Sequence, residues 1–128
     1  MTVEGLTVKV LAHELAHAYT HLGANIDGER WDAAHFRVAE RGLKEGLAQY
    51  YTSRIVERMR GQIADAEVAY QTLLPHQPDD YRTQLAWIDA DRTPEETRFA
   101  MISLRRQGEG TLDAFGAALE NGARRLRR

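Results

Sequence analysis

Apolar residues recur at helical spacing along nearly the whole chain, and no stretch alternates convincingly as a strand. The first predicted helix runs from about Glu4 to Leu22 and stops at Gly23. Ala24 to Asp32 is polar, contains Asp27-Gly28 and reads as a turn-rich loop. A second helix starts near Ala33, carries Phe36, Leu43, Leu47, Tyr50 and Ile55, and ends at about Arg60. Gly61 marks a break before a third, roughly Gln62 to Leu74. Pro75-His76-Gln77-Pro78 is a stop, after which Asp79 or Asp80 opens a fourth helix to about Ile88. Thr93-Pro94-Glu95-Glu96 places threonine at the N-cap, proline at the first helical position and glutamate at the third, opening a fifth helix to about Gln107. Gly108 and Gly110 separate it from a sixth, which Thr111 caps and which ends in Arg124-Arg125-Leu126-Arg127-Arg128. The expected fold class is all-α, a multi-helix bundle forming one domain. Residues 1–60 would carry the chemistry and 61–128 a helical C-terminal part.

Composition narrows the picture. The 128 residues leave room for one domain, and 43% hydrophobic with 28% charged residues is a soluble globular balance. No apolar run approaches the length of a transmembrane helix. The opening MTVEGLTVKV has neither a basic start nor a long apolar core, so no secretory leader is expected, and a cytoplasmic location is. Net charge is −2, from 17 basic and 19 acidic residues, so neither a membrane surface nor nucleic acid is an expected partner. Arg105-Arg106 and the arginines from Arg124 to Arg128 suit helix C-termini. Trp31 and Trp87 are expected to be packing anchors. Cysteine is absent, which removes disulfides, thiol nucleophiles and every cysteine-based metal site. Any metal must therefore be held by histidine and carboxylate.

Four of the five histidines, His13, His17, His21 and His35, fall early in the chain. His13-Glu14-Leu15-Ala16-His17 is an H-E-x-x-H sequence within the first helix. Residues four apart in a helix lie about 40° apart around the axis, so both imidazoles share a face and can reach one Zn²⁺. Glu14 sits about 100° from His13 and 60° from His17, close enough to handle a metal-activated water without being a ligand. The metal lowers the pKa of that water toward ~7, and the carboxylate takes its proton as general base. Val8, Leu11, Leu15, Ala18 and Leu22 fall on the opposite side, so the helix is expected to bury that stripe and turn the histidines toward a cleft.

Zinc needs a third protein ligand. Glu45 lies 28 residues after His17, on the second helix, about 160° from Leu47. Gly46 and Ala48 flank it with almost no bulk, so the two helices are expected to approach closely there.

His13-Glu14-Leu15-Ala16-His17 followed by Glu45-Gly46-Leu47-Ala48-Gln49-Tyr50 resembles the gluzincin zinc metallopeptidases, the clan of thermolysin and the zinc aminopeptidases. The likeness covers about Leu11 to Tyr51. It implies a Zn²⁺ cofactor held by His13, His17 and Glu45, Glu14 as catalytic base, and a peptide or protein substrate. Thermolysin-like members have an aspartate four residues after the ligand glutamate, supporting a histidine; here that position is Gln49, which accepts a hydrogen bond but adds no charge. Such enzymes usually place a β-sheet before the motif helix. Here either substrate binding differs, a second copy or a partner supplies the strand, or the chain is the C-terminal piece of a longer protease.

Two other readings stand beside this one. In a zinc-stabilised binding or regulatory module, the same residues hold metal and nothing is hydrolysed. In a SprT-like, DNA-associated protease, His35 is the third ligand and Glu45 is structural. His21 is expected to be a surface residue or a support for the site, and Tyr50, Tyr51, Tyr70, His76 and Tyr81 are the available oxyanion donors.

Overall fold

A computed structural model describes residues 1–22 and 30–126 of the chain. Among these the architecture is all-α, in seven helices: α1 Val3–Leu22, α2 Ala33–Val38, α3 Arg41–Arg58, α4 Ala64–Leu73, α5 Gln84–Asp89, α6 Pro94–Gln107 and α7 Leu112–Leu126. Two 3₁₀ turns, Leu74–His76 and Asp79–Arg82, link α4 to α5. Most of the turn-rich loop expected at Ala24 to Asp32 lies outside the described residues. No helix among those described is long and apolar enough to cross a membrane.

Local signals set several boundaries as expected. At the start of α6, Glu96 N–H donates to Thr93 Oγ1 at 3.1 Å and Thr93 N–H to Glu96 Oε1 at 3.0 Å, a complete capping box. The helix ends at Gly108, whose φ of 67° is the left-handed conformation that glycine adopts without strain. Asp32 caps α2 through Ala34 N–H and His35 N–H, and Thr111 Oγ1 accepts from Ala114 N–H at the start of α7.

The expected second helix is in fact two. The chain leaves helical geometry at Ala39 and Glu40, and Glu40 N–H donates to the Gly110 carbonyl at 2.8 Å. A Cβ on Gly110 would lie 2.6 Å from Ala39 Cβ, so that turn and this break fit only against each other. A long-range bond has replaced an intrahelical one.

Helix α3 is the axis of the molecule. Leu43, Leu47 and Tyr50 enter a core with Trp31, Trp87, Met101, Leu104, Phe115 and Leu119, while Val56 joins Ala66, Tyr70 and Leu74 in a second cluster. Both tryptophans are thus packing anchors. Helices α6 and α7 pair on one side of α3, and α1 lies across α3 and α4 on another.

The orientation of α1 is opposite to the expected one. Its inward face carries Gly5, Lys9, Ala12, His13, Ala16 and Thr20. Of the expected stripe, Val8 is half-buried against the cluster of Val56, Ala66, Tyr70 and Leu74, whereas Leu11, Leu15 and Leu22 are 57%, 58% and 55% exposed, with Ala18 exposed beside them. The inward positions are mostly small: a Cβ on Gly5 would sit 2.5 Å from the Asp65 carbonyl oxygen on α4. Of the polar members, His13 gains hydrogen-bond partners on α3 and Thr20 Oγ1 donates to the His17 carbonyl, which offsets their desolvation.

Candidate metal centre

Three side chains converge between α1 and α3. His13 and His17 project from one face of α1, and Glu45, the fifth residue of α3, meets them from the other helix. Glu45 Oε2 lies 3.0 Å from His13 Nε2 and 3.1 Å from His17 Nε2. The imidazoles stand edge to face, their centroids 4.7 Å apart. One donor atom from each of the three residues falls within 4.8 Å of the others. Donors on a tetrahedral Zn²⁺ with bonds near 2.0–2.1 Å are separated by about 3.3 Å. Two imidazoles and one carboxylate gathered at these separations form a group that could hold a metal ion.

Charge is already organised around this point. Burial works to raise the pKa of Glu45, yet hydrogen bonds from His13 and His17, with their positive charge, outweigh it and hold the carboxyl at about 2. The same hydrogen bond raises the pKa of His17 against the opposing effect of burial, and the negative charge of Glu14 adds to the rise. Glu14 itself is exposed. Lys9 lies one turn before His13 on the buried face; desolvation lowers its pKa while the Glu45 carboxylate opposes the shift.

His13 is held from three sides. Its Nδ1–H donates to Gln49 Oε1 at 2.9 Å. Gln49 is fully buried, and its Nε2–H₂ donates to Gln77 Oε1 at 3.0 Å and to the Tyr81 carbonyl at 3.1 Å. The Tyr81 ring stacks on the imidazole, 8° from parallel with centroids 5.5 Å apart. Lys9, Gln77 and Tyr81 were not assigned to these positions from sequence. Lys9 carries a faint signal, being one turn before His13, whereas Gln77, between the two 3₁₀ turns, and Tyr81, within the second, arrive from a distant segment that no local spacing reveals.

Several other expectations change. Gly46 does not face α1; an added Cβ there would meet Thr83 Cβ and the Trp87 ring, each at 3.0 Å. The small residue admits α5 instead, and α1 gains its closeness through its own Gly5, Ala12 and Ala16. His21 stacks on Phe36 at 4.3 Å. His35 lies against Gly108 with Nδ1 3.5 Å from Asp32 Oδ1, and it is not part of the three-residue group. Arg105 is buried, donating to the Tyr19 and Thr20 carbonyls at the end of α1, so it serves that helix terminus. Tyr50 Oη donates to the Arg92 carbonyl, and Tyr70 Oη accepts from Gln84. Of the tyrosines considered as oxyanion donors, Tyr81 is the one whose ring touches a residue of the centre.

Comparison with protein-family models, curated proteins and solved structures gave no match for this chain.

Proposed function

We propose that the chain is a zinc-dependent metallopeptidase-like domain acting on a peptide or protein substrate, with His13, His17 and Glu45 as the residues that would hold Zn²⁺. The observation that carries this reading is the shared approach of both imidazole Nε2 atoms to one Glu45 oxygen, at 3.0 and 3.1 Å. Zinc, when bound, supplies a Lewis acid that brings the pKa of water toward ~7 and polarises a carbonyl. Glu14 is the base: its exposed carboxylate adjoins His13 in the chain and acts electrostatically on His17. It would accept a proton from the attacking water and deliver that proton to the departing amine nitrogen. Gln49 orients His13, and Glu45 contributes the centre's one negative charge.

The test compares metal uptake with turnover. The wild type should bind Zn²⁺ near one equivalent after removal of purification metal and should cleave members of a peptide library. Glu14→Gln should retain the metal and abolish cleavage. His13→Ala and Glu45→Ala should lose both. Failure of the wild type to bind zinc would overturn the reading. Zinc binding with cleavage indifferent to Glu14→Gln would overturn the assignment of the base, and metal-dependent melting without any cleavage would favour the binding-module alternative.

A further inference from the structure

We propose that Gln49, Gln77 and the main-chain carbonyl of Tyr81 form a relay that positions His13, tying the metal-binding face of α1 to the turn between α4 and α5. The inference rests on the metal-site reading above and goes beyond it, because it assigns roles to Gln77 and Tyr81, which lie outside both the H-E-x-x-H helix and the Glu45 helix.

The orientation of the Gln49 amide decides the matter. A backbone carbonyl only accepts hydrogen bonds, so the Gln49 atom 3.1 Å from the Tyr81 oxygen must be the NH₂ group. Gln77 receives the second proton of that group at 3.0 Å. The Gln49 oxygen is then forced toward His13, 2.9 Å from Nδ1, and as an acceptor it requires a proton on that nitrogen. With Nδ1 engaged by Gln49, Nε2 is the ring atom left for a metal, which would take the place of the proton that Nε2 shares with Glu45. Gln49 is fully buried, so no water competes for its two ends.

Ring packing complements the relay. The Tyr81 side chain stacks flat on His13 while the carbonyl of the same residue holds Gln49. One residue on the turn therefore restrains both the plane of the imidazole and the amide that selects its protonated nitrogen. The turn packs against α3, so a shift of that segment reaches the centre through short bonds. Gln49, Gln77 and Tyr81 are positioning residues here; none contributes a donor atom to the three-residue group.

The experiment uses the full chain labelled with ¹⁵N-histidine, with Zn²⁺ as the probe. In the wild type at neutral pH, the ring spectrum should show a proton on His13 Nδ1 both with and without the metal. Gln49→Leu should weaken zinc affinity 10- to 100-fold in chelator competition, the range expected for removing an outer partner of a ligating histidine. It should also change the intensity of the visible Co²⁺ bands. Gln77→Leu removes one of the two acceptors that orient the amide and should weaken affinity several-fold; being at a partly exposed position, it also protects the test should Gln49→Leu fail to fold. A neutral His13 with its proton on Nε2 alone would overturn the proposal. So would folded Gln49→Leu and Gln77→Leu chains with wild-type zinc affinity and ring shifts. A wild type that binds no zinc would instead overturn the metal-site reading, with the Nδ1 measurement still deciding this one.

Discussion

Helices α1 and α7 handle amphipathicity in opposite ways. Helix α7 buries Phe115, Leu119, Gly122 and Ala123 and leaves Asp113, Glu120, Arg124 and Arg125 outside. Helix α1 buries Lys9, His13 and Thr20 and leaves Val10, Leu11, Leu15 and Leu22 outside. The apolar stripe is thus a sound guide to the inside of a helix only when the polar stripe has no better place to go. On α1 it has one: both nitrogens of His13 find partners on α3, and Arg105 satisfies the carbonyls of Tyr19 and Thr20 at the helix end. A polar face that enters the interior with its hydrogen bonds made loses little, whereas the same face left unpaired would be costly.

The most severe way to test this contrast is to truncate one apolar residue on each helix. Phe115 is fully buried, so Phe115→Ala should cost about 3–5 kcal/mol in a urea unfolding curve. Leu15 is 58% exposed, and Leu15→Ala should fall within about 0.5 kcal/mol of wild type. A cost for Leu15→Ala near that of Phe115→Ala would mean that the outer face of α1 is covered in solution, and the contrast would collapse.

Glycines offer a second test, in which the sign itself should differ. A Cβ on Gly5 would lie 2.4 Å from Asp65 Oδ2 and 2.5 Å from the Asp65 carbonyl oxygen, so Gly5→Ala must push α1 away from α4. The overpacking penalty of about 1–3 kcal/mol should outweigh the gain in helix propensity of about 1 kcal/mol. On α7, an added Cβ at Gly116 meets nothing within 4 Å. Gly116→Ala should therefore stabilise by about 0.4–1 kcal/mol. Thermal melting of the two variants decides the point, and a stabilised Gly5→Ala would show that α1 does not sit tightly on α4.

These contrasts also show what could be read before the fold was known. The six expected helical segments and the all-α class follow from local periodicity and caps, and the capping box at Thr93 and the glycine end at Gly108 are self-contained signals. The break at Ala39 and Glu40 is not local, since it depends on a carbonyl 70 residues away, at Gly110. The inward side of α1 escaped for a related reason: the partners that make its histidines suitable for burial lie on α3. His13, His17 and Glu45 were legible because the four-residue step fixes two of them on one face and the absence of cysteine directs attention to a carboxylate. Gln77 and Tyr81 were not, because their place beside His13 depends on how the 3₁₀ turns fold back against α3.

The smallest expected effect concerns how the two helices begin. Helix α7 starts with a hydroxyl cap, Thr111 Oγ1 accepting from Ala114 N–H at 3.0 Å. Helix α1 is preceded by Thr2, whose Oγ1 accepts from Gly5 N–H while its own N–H and hydroxyl both donate to the Asp65 carboxylate on α4. Those hydrogen bonds, the side-chain one foremost, hold the Asp65 pKa below its ordinary 3.8. A carboxyl with a depressed pKa in the folded state stabilises the fold at pH values above its unfolded pKa, and the contribution disappears as pH falls through the folded one. Asp65→Asn should accordingly melt slightly below wild type at neutral pH, and that gap should close on acidification below pH 3.8. Thr111→Ala should lower stability by about 1 kcal/mol through loss of a neutral cap, by the same amount across that range. Equal pH dependence of the two differences would show that the ionised carboxylate does not anchor α1, leaving the small-residue contact at Gly5 as the feature that seats the helix on α4.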